Sequence, residues 1–231
     1  MNHSLLLHRH ADSTGWATAA ATAIARALQG PQRQRLLLSG GSTPAPVYRQ
    51  LAQAALDWGQ LELGLVDERW LAAGDANRND RLVEQHLLAL QPQAGLQALA
   101  QPGSSPALSV QAANAHWQQQ PLPTVAVLGM GNDGHTASLF PGARDLAQAL
   151  DSTAPYASID AGDCPAAQPF AQRLSLTPAG LGHCQQRFLL LRGNDKLDTL
   201  TTALKSGNPR HYPILYALGS STGPLQVFWC P

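Results

Sequence analysis

Short apolar runs rich in Leu and Val alternate along the chain with longer stretches in which apolar residues recur every three or four positions, a pattern that predicts strands and helices in turn. Leu5 to His8 reads as an edge strand. Asp12, Ser13 or Thr14 can cap the Ala-rich helix that follows, in which Trp16, Ala20, Ile24 and Leu28 share a face before Gly30-Pro31 ends it. Arg35 to Leu38 reads as a second strand running into Ser39-Gly40-Gly41-Ser42-Thr43-Pro44, with Thr43 as N-cap and Pro44 at the first position of a helix carrying Val47, Leu51 and Ala54. Leu61 to Val66 is a third strand, and it delivers Asp67-Glu68-Arg69 into a Gly/Asp/Asn-rich loop. Asn79 or Asp80 then caps a helix carrying Val83, Leu87 and Leu90.

Gln91 to Pro106, rich in Pro, Gly, Ser and Gln, reads as a surface crossing, followed by a helix from about Leu108 to Gln119. Val125 to Leu128 is too short for a helix and suits a buried parallel strand; it breaks into Gly129-x-Gly131, and Thr136 to Leu139 are compatible with a helix beyond it. Tyr156 to Ile159, Arg173 to Leu176, Arg187 to Leu191 and Leu225 to Trp229 read as later strands. Between them lie helix starts at Thr177-Pro178 and after Gly193, and a short helix from Pro213 to Leu218. Strands alternating with helices from end to end predict an α/β fold, one unit over residues 1–231 with a mostly parallel sheet flanked by helices.

Composition narrows the function. The 15 basic and 15 acidic residues cancel and are spread along the chain, so no basic cluster points to nucleic acid or a membrane surface. Cys164, Cys184 and Cys230 lack C-x-x-C spacing, which signals neither a disulfide framework nor a zinc site. The apolar run near the start is too short for a signal peptide and no run reaches the ~18 residues of a spanning helix, so a cytoplasmic protein is expected.

Candidate chemistry collects at four strand ends, where open α/β sheets place their sites. Gly40, Gly41, Ser42 and Thr43 offer main-chain N–H groups and two hydroxyls that favour an anion such as phosphate. No Gly-Lys-Ser/Thr follows, so this is not a Walker A loop. Asp67-Glu68-Arg69 has the reading usual for charged loop residues, a solvated loop; against it, the three follow directly on a buried strand and Arg69 offers a bidentate fork to phosphate or carboxylate. Asp133 and His135, a carboxylate and an imidazole two residues apart on a Gly-flanked turn, form the most specific pair. Lys196, one of two lysines in the chain, fits a phosphate point charge.

Leu38 to Pro44, Asp67-Glu68-Arg69-Trp70 and, above all, Gly129-Met130-Gly131-Asn132-Asp133-Gly134-His135-Thr136-Ala137-Ser138-Leu139-Phe140-Pro141-Gly142 resemble the signatures of the 6-phosphogluconolactonase family, in that family's order. Weaker matches at Arg173 to Pro178 and Gly193 to Lys196 extend the similarity to nearly the whole chain. The resemblance implies a modified Rossmann-like fold shared with glucosamine-6-phosphate deaminases, and hydrolysis of 6-phospho-D-glucono-1,5-lactone to 6-phospho-D-gluconate in the oxidative pentose phosphate pathway. Deaminases are similar in the Gly-rich turn and Asp-Gly-His, but they carry a tyrosine after Asp-Glu and a catalytic Glu after Asp-Gly-His; here Arg69 stands in the first place and no Glu follows Glu84. The loop from Leu71 departs from the family pattern, with Arg78 where Ser is usual, whereas Asn79 matches.

The implied chemistry makes His135 the general base, because an imidazole with an unperturbed pKa of ~6.5 is available neutral at neutral pH. Asp133 or Asp67 serves as its partner, with Asp67 also able to hold lactone hydroxyls, and backbone N–H groups near Gly129 and Gly131 are expected oxyanion donors. The 6-phosphate is expected on the Gly41 to Thr43 turn with Arg173 and Lys196, and Arg69 on phosphate or sugar. No cofactor or metal is expected. The expected partner is a small sugar-phosphate lactone rather than nucleic acid or membrane, on a monomer or weak dimer. A silent sugar-phosphate-binding regulator is the rival outside enzymes.

Overall fold

The computed structural model describes residues 4–101, 103–218 and 223–231, so Pro102, inside the predicted surface crossing, lies outside the described residues. The strands, in chain order, are β1 (Leu5–Arg9), β2 (Gln34–Leu38), β3 (Leu61–Leu65), β4 (Asp67–Arg69), β5 (Gly95–Leu96), β6 (Val125–Leu128), β7 (Tyr156–Asp160), β8 (Gln172–Leu176), β9 (Gln186–Arg192) and β10 (Leu225–Cys230). Seven of them form one sheet in the order β1-β10-β9-β6-β2-β3-β5, and every pairing in it is parallel. The predicted edge strand is indeed at an edge. β2, β6 and β9 are buried almost end to end, as a parallel sheet covered on both faces requires.

The helices are α1 (Ser13–Ala27), α2 (Ala45–Leu51), α3 (Asn79–Val83), α4 (Pro106–Gln119), α5 (Leu146–Leu150), α6 (Pro178–His183) and α7 (Asn194–Ser206). Asp12 caps α1 by accepting from the N–H groups of Thr14 and Gly15, and the Trp16 indole, fully buried, donates to the Phe228 carbonyl at 2.9 Å and ties the helix to β10. Thr177 caps α6 through Gly180 N–H. No helix among the described residues is long and apolar enough to cross a membrane.

β4, β8 and β7 make a second, antiparallel sheet, β4-β8-β7, where the sequence pattern suggested strands of one sheet and a loop at Asp67. Val66 joins the two sheets: its N–H donates to Leu38 O at the end of β2, and its carbonyl accepts from Leu176 N at the end of β8. A small core of Leu139, Phe140, Leu146, Leu150 and Ile159 packs beside this sheet, apart from the main core.

Three further local expectations are corrected. Thr43 does not cap α2: Pro44, already in the helical region, takes the cap position without a side-chain bond, and Ala45 is the first helical residue. Neither Asn79 nor Asp80 caps α3; both lie within it, and the Glu68 carboxylate accepts from their N–H groups instead. Thr136 to Leu139 form a turn closed by a bridge between those two residues, with Ala137 at φ +50°. The Thr136 and Ser138 hydroxyls bond to Gly129 O and Asp67, and such side-chain bonds compete with a helical ladder.

Candidate active site

From β2 the chain runs outward to β3 and β5, then returns to β6 on the other side of β2, so the direction of winding reverses between β2 and β6. A crevice opens at such a switch point, beyond the carboxyl ends of the strands. Here it is a cleft of about 310 Å³. Every residue singled out in the sequence for substrate contact, Gly40, Gly41, Ser42, Thr43, Arg69, Asn79, Gly129, Gly131, Arg173 and Lys196, lines it, as do Asp67 and His135. Residues that the sequence reading did not single out, among them Ser39, Met130, Ala137, Phe140 and Arg192, line it too.

The turn after β6 is built around the imidazole. Gly131 N–H donates to the His135 carbonyl at 2.9 Å, and Gly134, at φ +79°, lets the chain double back. A Cβ on Gly131 would stand 2.2 Å from His135 Cε1 and Nδ1, so only glycine leaves room for the ring. Asp133 does not itself line the cleft but holds the ring from behind: its Oδ1 accepts from His135 N–H at 3.1 Å and lies 2.6 Å from Nδ1. Phe140 covers one face, with ring centroids 4.2 Å apart. A carboxylate accepting at Nδ1 places the ring proton there and leaves Nε2 as the basic nitrogen. Burial pushes the Asp133 carboxyl up, but the hydrogen bond and charge of His135 outweigh it and hold the group below the usual carboxylate range. The Gly131 N–H, expected as an oxyanion donor, is already committed to this turn.

Asp67 is held elsewhere. Ser138 Oγ donates to its Oδ2 at 2.6 Å, Asn79 Nδ2 approaches its Oδ1 at 3.3 Å, and Ser138 N–H in turn donates to Ser175 Oγ at 3.0 Å. Of the two carboxylates left open as partners of the imidazole, Asp133 is the one bonded to it. Ser138 was missed in the sequence, although it lies inside the segment with the strongest motif; its tie to Asp67 spans 71 residues and no local pattern carries it.

Because β4 is a strand, its residues alternate: Asp67 and Arg69 face the cleft while Glu68 turns away into fully buried surroundings. Arg69 sits directly opposite Arg173 of β8. Like charges opposed across a strand pair repel, and an anion between them would relieve this. Burial lowers the Arg173 pKa; its guanidinium donates to the Phe170 and Ala167 carbonyls and stands 5.3 Å over the Phe140 ring. Arg69 donates to Asn77 O and lies over Phe170. Lys196, in the first turn of α7, is likewise lowered by burial. With no side chain capping α2, the Thr43 hydroxyl is not spent on the helix. Asn79 Oδ1 and Ser39 Oγ, both buried in the cleft wall, have no protein partner.

A cleft that joins an oriented imidazole to four cations, Arg69, Arg173, Arg192 and Lys196, can activate water beside an anionic substrate. Residues 10–229 match the family model described as glucosamine-6-phosphate isomerases/6-phosphogluconolactonase. A 6-phosphogluconolactonase of Xylella fastidiosa (strain Temecula1) is 47% identical over 198 residues, 86% of this chain and 83% of that protein. The 6-phosphogluconolactonase of Rhizobium meliloti is 36% identical, covering 100% of this chain and 96% of its own length. The crystal structure of a 6-phosphogluconolactonase from Shewanella baltica superposes with a TM-score of 0.91 at 30% identity, covering 98% of both chains. The chain belongs to the family of glucosamine-6-phosphate isomerases and 6-phosphogluconolactonases.

Proposed function

We propose that this enzyme, a hydrolase of the 6-phosphogluconolactonase type, opens 6-phospho-D-glucono-1,5-lactone with water to 6-phospho-D-gluconate in the oxidative pentose phosphate route. The observation that carries the reading is the His135–Asp133 pair, bonded at 2.6 Å, on the same cleft as Arg69, Arg173 and Lys196. A lactone is an activated ester, so no covalent nucleophile is required. His135 Nε2 takes a proton from a water as its oxygen attacks the C1 carbonyl; Asp133 stabilises the imidazolium. Collapse of the tetrahedral intermediate breaks the bond from C1 to the ring oxygen, which recovers the proton from His135. The main chain at Gly129 and Met130 borders the carbonyl, and positive charge from the cleft stabilises its developing oxyanion.

The 6-phosphate is held by the Gly41 to Thr43 turn with Arg173 and Lys196, while Arg69 takes phosphate or sugar oxygen and Asp67 the lactone hydroxyls. The test is a coupled assay in which freshly generated lactone is followed to 6-phosphogluconate against its spontaneous opening, with glucosamine 6-phosphate in parallel. Acceleration of lactone opening alone is the expected result. Turnover of glucosamine 6-phosphate, or binding of 6-phosphogluconate with no acceleration, would replace this reading with a deaminase or a silent binding protein.

A further inference from the structure

β4 presents Asp67 and Arg69 to the cleft and leaves Glu68 between them pointing the other way, with no exposure to solvent. The buried carboxylate is nevertheless fully used. Oε1 accepts from Arg69 N–H and from Asn79 N–H, both at 2.7 Å, and Oε2 accepts from Asp80 N–H at 2.9 Å. Two of these donors are the opening N–H groups of α3, which no residue adjacent to the helix satisfies. The third belongs to Arg69. Glu68 therefore grips both ends of the Trp70 to Arg78 loop.

Arg78 closes the loop's other side. It is buried, forms a bidentate ion pair with Asp80, and donates to the Leu71 and Ala100 carbonyls. What the grip sets is the position of Asn79. Its Nδ2 donates to the Asp67 carbonyl at 2.8 Å, and its Oδ1 lies where a Cβ on Gly40 would come within 1.8 Å. Asn79 thus bridges β4 to the glycine turn after β2, and its unpartnered buried Oδ1 is part of the cleft wall.

We propose that Glu68 is a positioning residue for lactone opening: its buried carboxylate, through the N–H groups of Arg69, Asn79 and Asp80, sets Arg69 and Asn79 against the cleft and so fixes Asp67. The reaction is the one proposed above, and this role rests on that reading. All three partners are donors, so the carboxylate form fits the site, whereas a protonated acid or an amide would set a donor against an N–H. Burial pushes the Glu68 pKa up to about 7 against the pull of its three N–H partners, with Asp80 adding to the rise. The charged groups around it are Asp67 and Arg69 on its own strand, Arg78 and Asp80 at the start of α3, and Arg173 on β8. The grip is therefore half-lost near pH 7, fills as pH rises above it and loosens as Glu68 takes up a proton below it.

The test compares the intact wild-type chain with Glu68→Gln and Glu68→Asp. kcat and KM are measured from pH 5.5 to 8.5, and amide hydrogen exchange is followed at Asn79 and Asp80. Glu68→Gln is expected to lower kcat/KM roughly ten-fold or more at pH 8, the cost of a displaced positioning group. It should also remove the part of the acid limb centred near 7, and Glu68→Asp should restore part of the loss. In the wild type, exchange at both amides should quicken as pH falls from 8 to 6 once the intrinsic pH dependence is removed. Wild-type kcat/KM and an unchanged acid limb in Glu68→Gln would overturn the role. If the variants fail to fold, pH-independent protection of the two amides in the wild type would overturn it. A wild type that does not open the lactone would defeat the reaction while leaving the exchange result to judge the grip.

Discussion

The parallel sheet and the small antiparallel sheet bring different things to the same cleft. From β2 and β6 come glycine turns, hydroxyls and one oriented imidazole, the imidazole fixed by bonds within a few residues. From β4 and β8 come Asp67, Arg69 and Arg173: Ser138, 71 residues away, holds Asp67, and only the pairing of β4 with β8 brings Arg69 opposite Arg173. The difference separates a preformed, locally encoded base from a charge set that exists only when the second sheet is docked through Val66. Damage to the first should appear in kcat, and damage to the second in binding or in both constants.

Short of removing the imidazole itself, Gly131→Ala should give the largest effect. Its Cβ would fall 2.2 Å from the His135 ring and push it aside, and a misplacement of about 1 Å in a catalytic group costs about 10²-fold in turnover. Steady-state kinetics should show the loss in kcat with KM little changed; a loss confined to KM would move the imidazole out of the chemistry.

Ser138→Ala comes next, on the other side of the comparison. It removes one donor from Asp67, and a hydrogen bond to a charged group is worth about 1.5–3 kcal/mol, or roughly 10- to 100-fold in kcat/KM. A double-mutant cycle with Asp67→Asn checks it: the second substitution should add little once the first is present.

These two positions also show how much was legible beforehand. The alternation of strands and helices, the strand-end placement of the site and the pair Asp133 and His135 follow from local pattern, because a buried parallel strand and a Gly-flanked turn leave local marks. Asp67 to Arg69 read as a loop because three charged residues carry no apolar alternation; only pairing with β8 makes them a strand. β5, two residues long, was equally invisible within the stretch read as a surface crossing. The Ser138 bond to Asp67 spans 71 residues and the Glu68 bonds cross a loop of irregular sequence to the start of α3, so no local pattern showed the role of either group.

Lys196→Ala should raise KM about ten-fold through loss of a single charge–phosphate contact, which at roughly 1.4 kcal/mol corresponds to one decade. It should change kcat much less, and it should narrow the preference for phosphorylated over unphosphorylated lactone. Preference that survives intact would place the phosphate away from α7.

The smallest effect expected is on stability at low pH. Asp133 is held below its unfolded value, so its contribution is present above the unfolded pKa of ~3.9 and is lost as pH falls through the folded one. Its side chain is 34% exposed, so the contribution is small. Acid unfolding of Asp133→Asn should show a slightly shallower loss of stability below pH 4 than wild type. An identical slope would mean that the pairing with His135 adds nothing to the fold.

The central claim is that His135, oriented by Asp133, is the base that activates water. Its most direct test is single-turnover opening of freshly generated 6-phosphogluconolactone by wild type and His135→Ala at pH 7.5, corrected for spontaneous opening. The expected result is a loss of about 10²- to 10⁴-fold in the chemical step with the variant still folded and still binding 6-phosphogluconate. Turnover within a few-fold of wild type would contradict it.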